Sequence, residues 1–257
     1  MALAQPADSG GGPPANAGGP PNFIAFGVGF IPEYPGSDEL RPIPFGGAQY
    51  STSGTIFSWR GLSIVADVLA LRTRGRWTGG VGAAFQFGRD DDTDLIQINA
   101  LPDIDDTIEA LAFIGRRWSM PGSRASWTLQ LEARVDAASV HDGYVVTPSL
   151  SYGTPVGDRL RLDFSVRVPY GSEDFVDTYY SITEAGSFAS GLPVYTASSG
   201  FYEIGVSVNG TYSFNDRWGL FALLGYSRVI GDAADSPIVD VGSDASQIIG
   251  LATSYRF

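Results

Sequence analysis

A sixteen-residue stretch near the C-terminus, VIGDAADSPIVDVGSD (229–244), places four carboxylates close together: Asp232, Asp235, Asp240 and Asp244. Clustered carboxylates can act as an acid–base site, as ligands of a hard divalent cation, or as a solvated connection between two elements. No loop of the chain has the spacing of an EF-hand, so a dedicated calcium loop is not predicted. The choice among the three uses depends on where the fold places the stretch.

His141, which is followed by Asp142, is the only other candidate for acid–base chemistry, because the chain has a single histidine. A hydrolase needs a base with a pKa near neutral beside its nucleophile or its water. A solvated loop histidine is the favoured interpretation of this pair. One histidine and no cysteine exclude multi-histidine and thiolate metal centres. We therefore predict no catalytic residue, no metal site and no cofactor.

Composition narrows the class of protein further. The chain has 257 residues with 33 glycines and 12% aromatic residues, which is typical of an all-β chain with many turns. The net charge of −12 argues against nucleic acid as a partner, because phosphate contact needs a basic face. No run of about 18 apolar residues occurs, so the sequence encodes no transmembrane helix.

An alternation of apolar and polar residues dominates the chain from Phe23 onward, and a period of two predicts β-strands. It is clearest in WTLQLEARVD (127–136), RLRLDFSVRV (159–168) and FYEIGVSVNGTYSF (201–214). The apolar face points inward in a soluble barrel but toward lipid in an outer-membrane barrel. Long predicted strands, aromatic residues at strand ends, and loops that alternate between short and long favour the membrane barrel.

The predicted fold class is thus all-β: a transmembrane, antiparallel, up-and-down barrel of about twelve strands. Ten strands is the alternative, because only Arg60-Gly61 can make the turn between the third and fourth strands. Residues 22–257 form the barrel. Residues 1–21 are predicted to be a signal-peptide remnant, Ala2-Leu3-Ala4, followed by a disordered periplasmic tail rich in glycine and proline.

Charged residues separate according to this topology. Nineteen of the 28 acidic residues fall in the predicted outer loops, which are 32–41, 60–61, 89–107, 138–143, 170–199 and 230–244. The predicted periplasmic turns form a basic rim that includes Arg72, Arg74, Arg76, Arg116, Arg117 and Arg217. The rim can bind anionic headgroups, or dock an acidic periplasmic partner or peptidoglycan. The acidic loops can bind divalent cations shared with lipopolysaccharide.

The polar faces of the strands predict a charged lumen. Its members are Glu132, Arg134, Asp136, Arg159, Arg161, Asp163, Arg167 and Glu203, with Arg167 roughly opposite Glu203. Mixed charge of this kind can cross-link a small barrel shut or line a narrow hydrated pore. Twelve strands is well below the 16–18 of open porins, so we predict a narrow or plugged lumen.

Two blocks of sequence resemble the signatures of the MipA/OmpV family of outer-membrane proteins. They are GVGFIPEYPGSDELRPIPF (27–45) and RVIGDAADSPIV (228–239), and DTYYSIT (177–183) and the final YRF are also similar to that family. The resemblance implies a β-barrel in the outer membrane of a Gram-negative cell. Members are described as scaffolds that bring a lytic transglycosylase together with a peptidoglycan synthase, and others as porin-like or adhesin-like. The family has no catalytic residues to transfer.

The resemblance implies a non-enzymatic scaffold linked to envelope or peptidoglycan synthesis, and the basic rim and the predicted periplasmic tail agree with that role. The alternative is a narrow porin-like channel for small solutes, and an outer-membrane hydrolase is less favoured. Predicted partners are outer-membrane lipid, lipopolysaccharide, periplasmic peptidoglycan enzymes, and the barrel-assembly machinery, which would read the terminal Phe257. Barrel closure should bring the two signature loops together, and the first of these loops includes Tyr34 and Asp38. We expect turn-locking contacts there among Pro35, Gly36, Ser37, Asp232, Ser236 and Pro237.

Overall fold

The alternating segments form twelve antiparallel strands in the computed structural model, which describes residues 22–34, 37, 39–91 and 93–257. They are β1 (Phe23–Pro32), β2 (Leu40–Ser51), β3 (Ile56–Arg60), β4 (Ser63–Asp67), β5 (Trp77–Gln86), β6 (Thr107–Ser119), β7 (Ser126–Asp136), β8 (Tyr144–Val156), β9 (Leu160–Arg167), β10 (Glu203–Ser213), β11 (Trp218–Val229) and β12 (Ala245–Arg256). Each strand pairs with the next, and β1 pairs with β12, so the sheet closes. The prediction of a twelve-stranded barrel is confirmed.

The inward and outward faces of the strands differ in polarity, and the difference is the one expected for a membrane barrel: apolar residues outside and polar residues inside. On β6, Ile108 and Ile114 are exposed on the outer surface, whereas Thr107 and Glu109 are buried inside. The same order holds on β9, where Phe164 and Val166 face outward and Asp163 faces inward. A soluble barrel would reverse it, because water rather than lipid would cover the outside.

The β3–β4 hairpin is short, with five residues in each strand, yet it is a separate hairpin. Gly61 has a φ of +54°, a left-handed conformation that glycine adopts without strain, and Arg60 pairs with Ser63 across the turn. The Trp59 indole N–H donates to the Gly61 carbonyl at 2.6 Å and fixes the turn. The ten-strand alternative is therefore wrong.

Apolar side chains fill part of the lumen, which the strand pattern did not predict. Where β1, β2, β11 and β12 meet, inward apolar residues pack into a core of Ala25, Ile31, Phe45, Leu223, Ile248 and Ala252. The Phe45 ring stacks on the Phe221 ring with centroids 5.8 Å apart. Gly250 admits this packing, because a Cβ there would lie 2.6 Å from the Phe45 ring. Part of the barrel is thus filled like a protein core.

The two ends of the barrel differ. The turn end has the short connections, the start of β1 and the end of β12; the loop end has connections 33–39, 61–62, 87–106, 137–143, 168–202 and 230–244. Loop-end elements include α1 (Ile96–Asn99), α2 (Glu173–Tyr180), α3 (Glu184–Ser190), a 3₁₀ turn (Gly231–Asp235) and α4 (Pro237–Val241). Two-residue strands at Tyr170–Gly171 and Gly200–Phe201 pair with each other and extend the sheet from β8.

Local sequence explains where the loop-end helices begin. Ser172 caps α2 by accepting a hydrogen bond from the Phe175 N–H, and Glu173 and Asp174 lie in its first turn. Thr183 caps α3 in the same way. None of the helices in the described part of the chain is long and apolar enough to cross a membrane. The predicted tail (1–21) and Pro35, Gly36 and Asp38 lie outside the described residues.

Candidate functional site

The connection 168–202, called the insert below, folds into the mouth of the barrel at the loop end. Four side chains of α2 are almost completely buried: Phe175, Val176, Tyr179 and Tyr180. They form one cluster with wall residues that include Val145 of β8 and Val229 of β11. The backbone of α2 lies close to Gly143, because a Cβ on Gly143 would be only 2.6 Å from the Phe175 nitrogen. The insert therefore covers the mouth.

A buried polar cluster lies beneath α2. Arg134 Nη1 donates to Glu109 Oε2 at 3.0 Å, and Arg134 Nε lies 3.3 Å from Glu132 Oε1. The side chains of Arg134 and Glu109 are 4% and 0% exposed. Charged side chains this far from water are tolerated only when they are paired. Because Glu109 belongs to β6 and Arg134 to β7, their pairing links the two strands.

His141 belongs to this cluster, and the prediction of a solvated loop histidine is wrong. Its ring centroid lies 5.2 Å from Phe175 and 5.9 Å from Tyr179, and its side chain is completely buried. Nδ1 accepts a hydrogen bond from the Gly143 N–H at 3.1 Å. In the neutral ring the proton therefore lies on Nε2, which is 3.5 Å from Glu109 Oε1.

Asp136 causes this inward fold of the 137–143 loop. One carboxylate oxygen accepts the N–H groups of Val140, His141 and Asp142 at 2.6, 2.7 and 3.0 Å. Asp136 thus caps a loop, and Asp142 is turned outward. Because Phe175 and Tyr179 cover His141, solvent and substrate cannot reach its imidazole while α2 is docked.

Four of the remaining predicted lumen residues form two ion pairs, and the fifth lies outside the lumen. Arg161 binds Asp163 through two hydrogen bonds of 3.0 and 2.7 Å, and Arg167 forms a buried ion pair with Glu203 on the neighbouring strand. Arg159 differs from its predicted place, because it lies in the exposed turn before β9 at the turn end. The charged side of the lumen is thus cross-linked by pairs within and between β6, β7, β9 and β10.

Three further ionic residues at the mouth were not predicted: Glu109 and Arg89, which are buried, and Arg41, which is half-buried. The Arg41 guanidinium lies 3.9 Å from the centre of the Phe87 ring. Arg89 is buried, donates to the Pro102 carbonyl at 3.4 Å, and has a pKa lowered by that burial. Arg41 and Glu109 occupy inward positions on strands whose residues alternate between the two faces. This alternation is the sequence signal that could have identified them.

The signature loops meet through apolar packing. Tyr34 of the first loop and Ile238 of α4 lie in one buried cluster with Ile98, Leu101, Ile182 and Leu192. Ser37 caps its own loop by accepting from the Glu39 N–H at 3.1 Å, and its carbonyl accepts from the Ser246 hydroxyl at 3.3 Å. The first loop is therefore in contact with β12 and with the last loop.

Two polar signature residues bind the insert. Ser236 donates to the Tyr180 carbonyl at 2.6 Å and caps α4, whose first residue is Pro237. The Asp232 carboxylate accepts from the Ser198 N–H at 2.5 Å, and this bond lowers the pKa of Asp232. The last loop thus fastens the insert in the barrel mouth.

Replacing Asp232 by asparagine should loosen the C-terminal part of the insert, because a neutral amide oxygen accepts the Ser198 N–H more weakly than a carboxylate does. We expect chymotrypsin to cut near Tyr195 several-fold faster than in the wild type.

The pKa of Asp232 is lower in the folded protein than its ordinary value of 3.8. The stabilisation by its carboxylate is therefore present above pH 3.8 and is lost only as the pH falls through the lower folded pKa. Wild-type cleavage should therefore be constant between pH 6 and 8. A control is Asp235→Asn, an exposed neighbour; equal acceleration there would contradict the assignment.

Comparison with known proteins agrees with this architecture. A family model described as "MltA-interacting protein MipA" matches residues 24–257. The putative outer membrane protein YiaT of Escherichia coli K12 is 32% identical over 130 residues, 51% of each chain. Outer membrane protein OmpV of Vibrio cholerae is 28% identical over 90 residues, 35% of this chain and 34% of OmpV. The chain thus spans about half the length of the curated relative YiaT that it matches.

Solved structures with a similar course of the chain include OmpT of Vibrio cholerae, at a TM-score of 0.40 and 11% identity over 86% of this chain and 66% of OmpT. A FadL homologue of Pseudomonas aeruginosa has the same TM-score and identity over 92% and 88% of the two chains. At this level of likeness neither supports a functional conclusion. The family model, by contrast, extends over every strand of the barrel. The chain therefore belongs to the MltA-interacting protein (MipA) family and is a β-barrel protein of the outer membrane.

Proposed function

We propose that the protein is a non-enzymatic scaffold of the outer membrane, closed at its loop end, that binds a periplasmic envelope enzyme through exposed arginines at its turn end. The observation that carries the proposal is the burial of α2 in the barrel mouth. A barrel closed in this way offers its rims, rather than its lumen, to other molecules. The turn end is taken as periplasmic, because short turns lie on that side in outer-membrane barrels.

The charge of the turn end supports this role. Arg72, Arg74, Arg124 and Arg217 are exposed there, on three different strand connections. A basic rim attracts an acidic protein surface and accelerates its association. The family description names an interaction with MltA, which supports a peptidoglycan enzyme as the partner.

A triple variant, Arg72→Ser, Arg74→Ser and Arg217→Ser, tests the proposal. We expect about tenfold weaker binding to a purified MltA-type lytic transglycosylase, since three rim charges at about 0.5 kcal/mol each amount to one order of magnitude. Biolayer interferometry of the barrel in detergent at two salt concentrations would measure it. The matched control is Arg228→Ser, an exposed arginine near the loop end. Equal affinity of the triple variant and the wild type would refute the role of the rim.

A narrow channel is the second candidate. It is favoured by the uncharged polar residues that face the lumen beneath the insert, among them Gln130, Ser149, Asn209 and Thr211. Conduction would require α2 to leave the mouth.

Two further roles remain predictions from the sequence: recognition of the exposed Phe257 by the barrel-assembly machinery, and cation binding by the acidic loops.

A further inference from the structure

The outer surface of the barrel has a groove of about 670 Å³ that runs across six strands, from β7 to β12. Two rows of outward side chains form its sides. The first row begins at Trp127 and Tyr152 near the turn end, and the second ends at Tyr226 and Gln247 near the loop end. Successive members of the first row are cross-strand neighbours: Trp127, Tyr152, Phe164, Val208, Leu224 and Ile249. The groove therefore lies where the barrel meets lipid.

The floor and the dimensions of the groove suit a single hydrocarbon chain. Ser165, Ser207 and Gly225 lie between the rows at inward positions of their strands, so the strand backbone forms the floor of the groove. The rows are two residues apart along each strand, about 7 Å, and six strands span about 24 Å. One leaflet contributes half of a hydrocarbon core of about 30 Å, so the groove is long enough for one acyl chain.

A cation lies beside the turn-end entrance of the groove. The Arg116 guanidinium is 5.4 Å from the centres of both the Trp77 and the Trp118 rings. Trp118 pairs across the strands with Trp127, the first groove residue, and Trp127 packs on Tyr152 at 4.8 Å. Among the residues that the structure describes, no carboxylate pairs with Arg116. A guanidinium held between two rings keeps its N–H edge available, and this fork fits a phosphate.

We propose that Arg116 and the groove form one binding site for a glycerophospholipid of the turn-end leaflet. Arg116 binds the phosphate, and the groove takes one acyl chain that enters past Trp127 and Tyr152. The neighbouring Arg117 has another role, because its Nε donates to Thr128 on the inner face. The site is independent of the proposed scaffold role, since it lies on the lipid-facing wall.

Native mass spectrometry of the detergent-solubilised barrel with phosphatidylglycerol tests the site. The wild type should retain one lipid per barrel. Arg116→Gln should weaken retention about tenfold, because a hydrogen-bonded charge is lost, and Leu224→Trp should weaken it similarly by filling the groove. Arg72→Gln, another turn-end arginine, and Ile64→Trp, an exposed outward residue of β4, are the matched controls.

Folding of each variant is checked by its resistance to unfolding in sodium dodecyl sulfate without heat. Diacylglycerol, which lacks the phosphate, should be held equally weakly by the wild type and Arg116→Gln. The proposal is overturned if either groove variant retains phosphatidylglycerol as the wild type does, or if the controls lose it to the same extent. It is also overturned if lipid A displaces phosphatidylglycerol, because the site would then belong to the other leaflet.

Discussion

Replacing Arg134 by leucine should lower the free energy of unfolding by about 3–5 kcal/mol, which is the cost of leaving a buried charge without its partner. Glu109 is 0% exposed, and Arg134 is the cation that donates to it. Without Arg134, the Glu109 carboxylate keeps only the contact with His141 at 3.5 Å. It would have to remain charged in an apolar setting or take up a proton, and either outcome costs stability.

Urea unfolding of the barrel in lipid vesicles, followed by tryptophan fluorescence, measures this loss. The matched control is Arg228→Leu, whose side chain is 60% exposed and binds Asp244 at 2.6 Å. An exposed pair contributes at most about 1 kcal/mol, so the control should change little. The double variant Arg134→Leu with Glu109→Leu should recover most of the stability, because both charges are then absent. Equal losses at Arg134 and Arg228 would contradict the importance of burial.

Strand positions could be predicted from the sequence because the period-two pattern reports on a local property, the alternation of lipid and lumen along one strand. The segments WTLQLEARVD and RLRLDFSVRV lie within or beside β7 and β9, and their polar residues other than Arg159 face inside. The pairing of Arg167 with Glu203 follows from the same alternation, because both residues occupy inward positions and β9 and β10 are neighbours. Loop-end and turn-end connections also fall where breaks in the pattern place them.

Positions that depend on long-range packing could not be predicted in this way. His141 looks solvated in sequence because Asp142 and Gly143 follow it in a loop. Its burial results from Asp136 holding the loop inward and from Phe175, some thirty residues later, covering the ring. The apolar part of the lumen is similar: Phe45 and Phe221 are far apart in sequence and meet only when the barrel closes.

The four aspartates of 229–244 have separate roles. Asp232 accepts from Ser198 of the insert, Asp244 pairs with Arg228, and Asp235 and Asp240 are exposed. No cluster of three or more residues that could hold a metal ion occurs among the described residues. The stretch instead fastens the insert through Asp232 and Ser236 and buries Ile238 beside Tyr34.

Shortening Phe175 to alanine should release α2 and open the lumen. Phe175 is 0% exposed and lies 4.9 and 5.1 Å from the rings of Tyr179 and Tyr202, so its removal costs about 3–5 kcal/mol of packing. A change of 3 kcal/mol raises the undocked fraction of α2 about a hundredfold. His141 and Arg134 would then meet water at the mouth. The matched control is Phe188→Ala in the same insert, where the ring is 93% exposed and its loss should change nothing.

Planar-bilayer recording measures the effect, with chymotrypsin cleavage of the insert as an independent report that α2 has undocked. We expect rare openings or none for the wild type and Phe188→Ala, and frequent discrete openings for Phe175→Ala. If α2 of Phe175→Ala is cleaved rapidly but no conductance follows, the ion pairs of Arg134, Arg161 and Arg167 close the lumen by themselves. The channel alternative would then be excluded. Steady conductance through the wild type would instead show that α2 leaves the mouth readily, and the scaffold proposal would lose the observation that carries it.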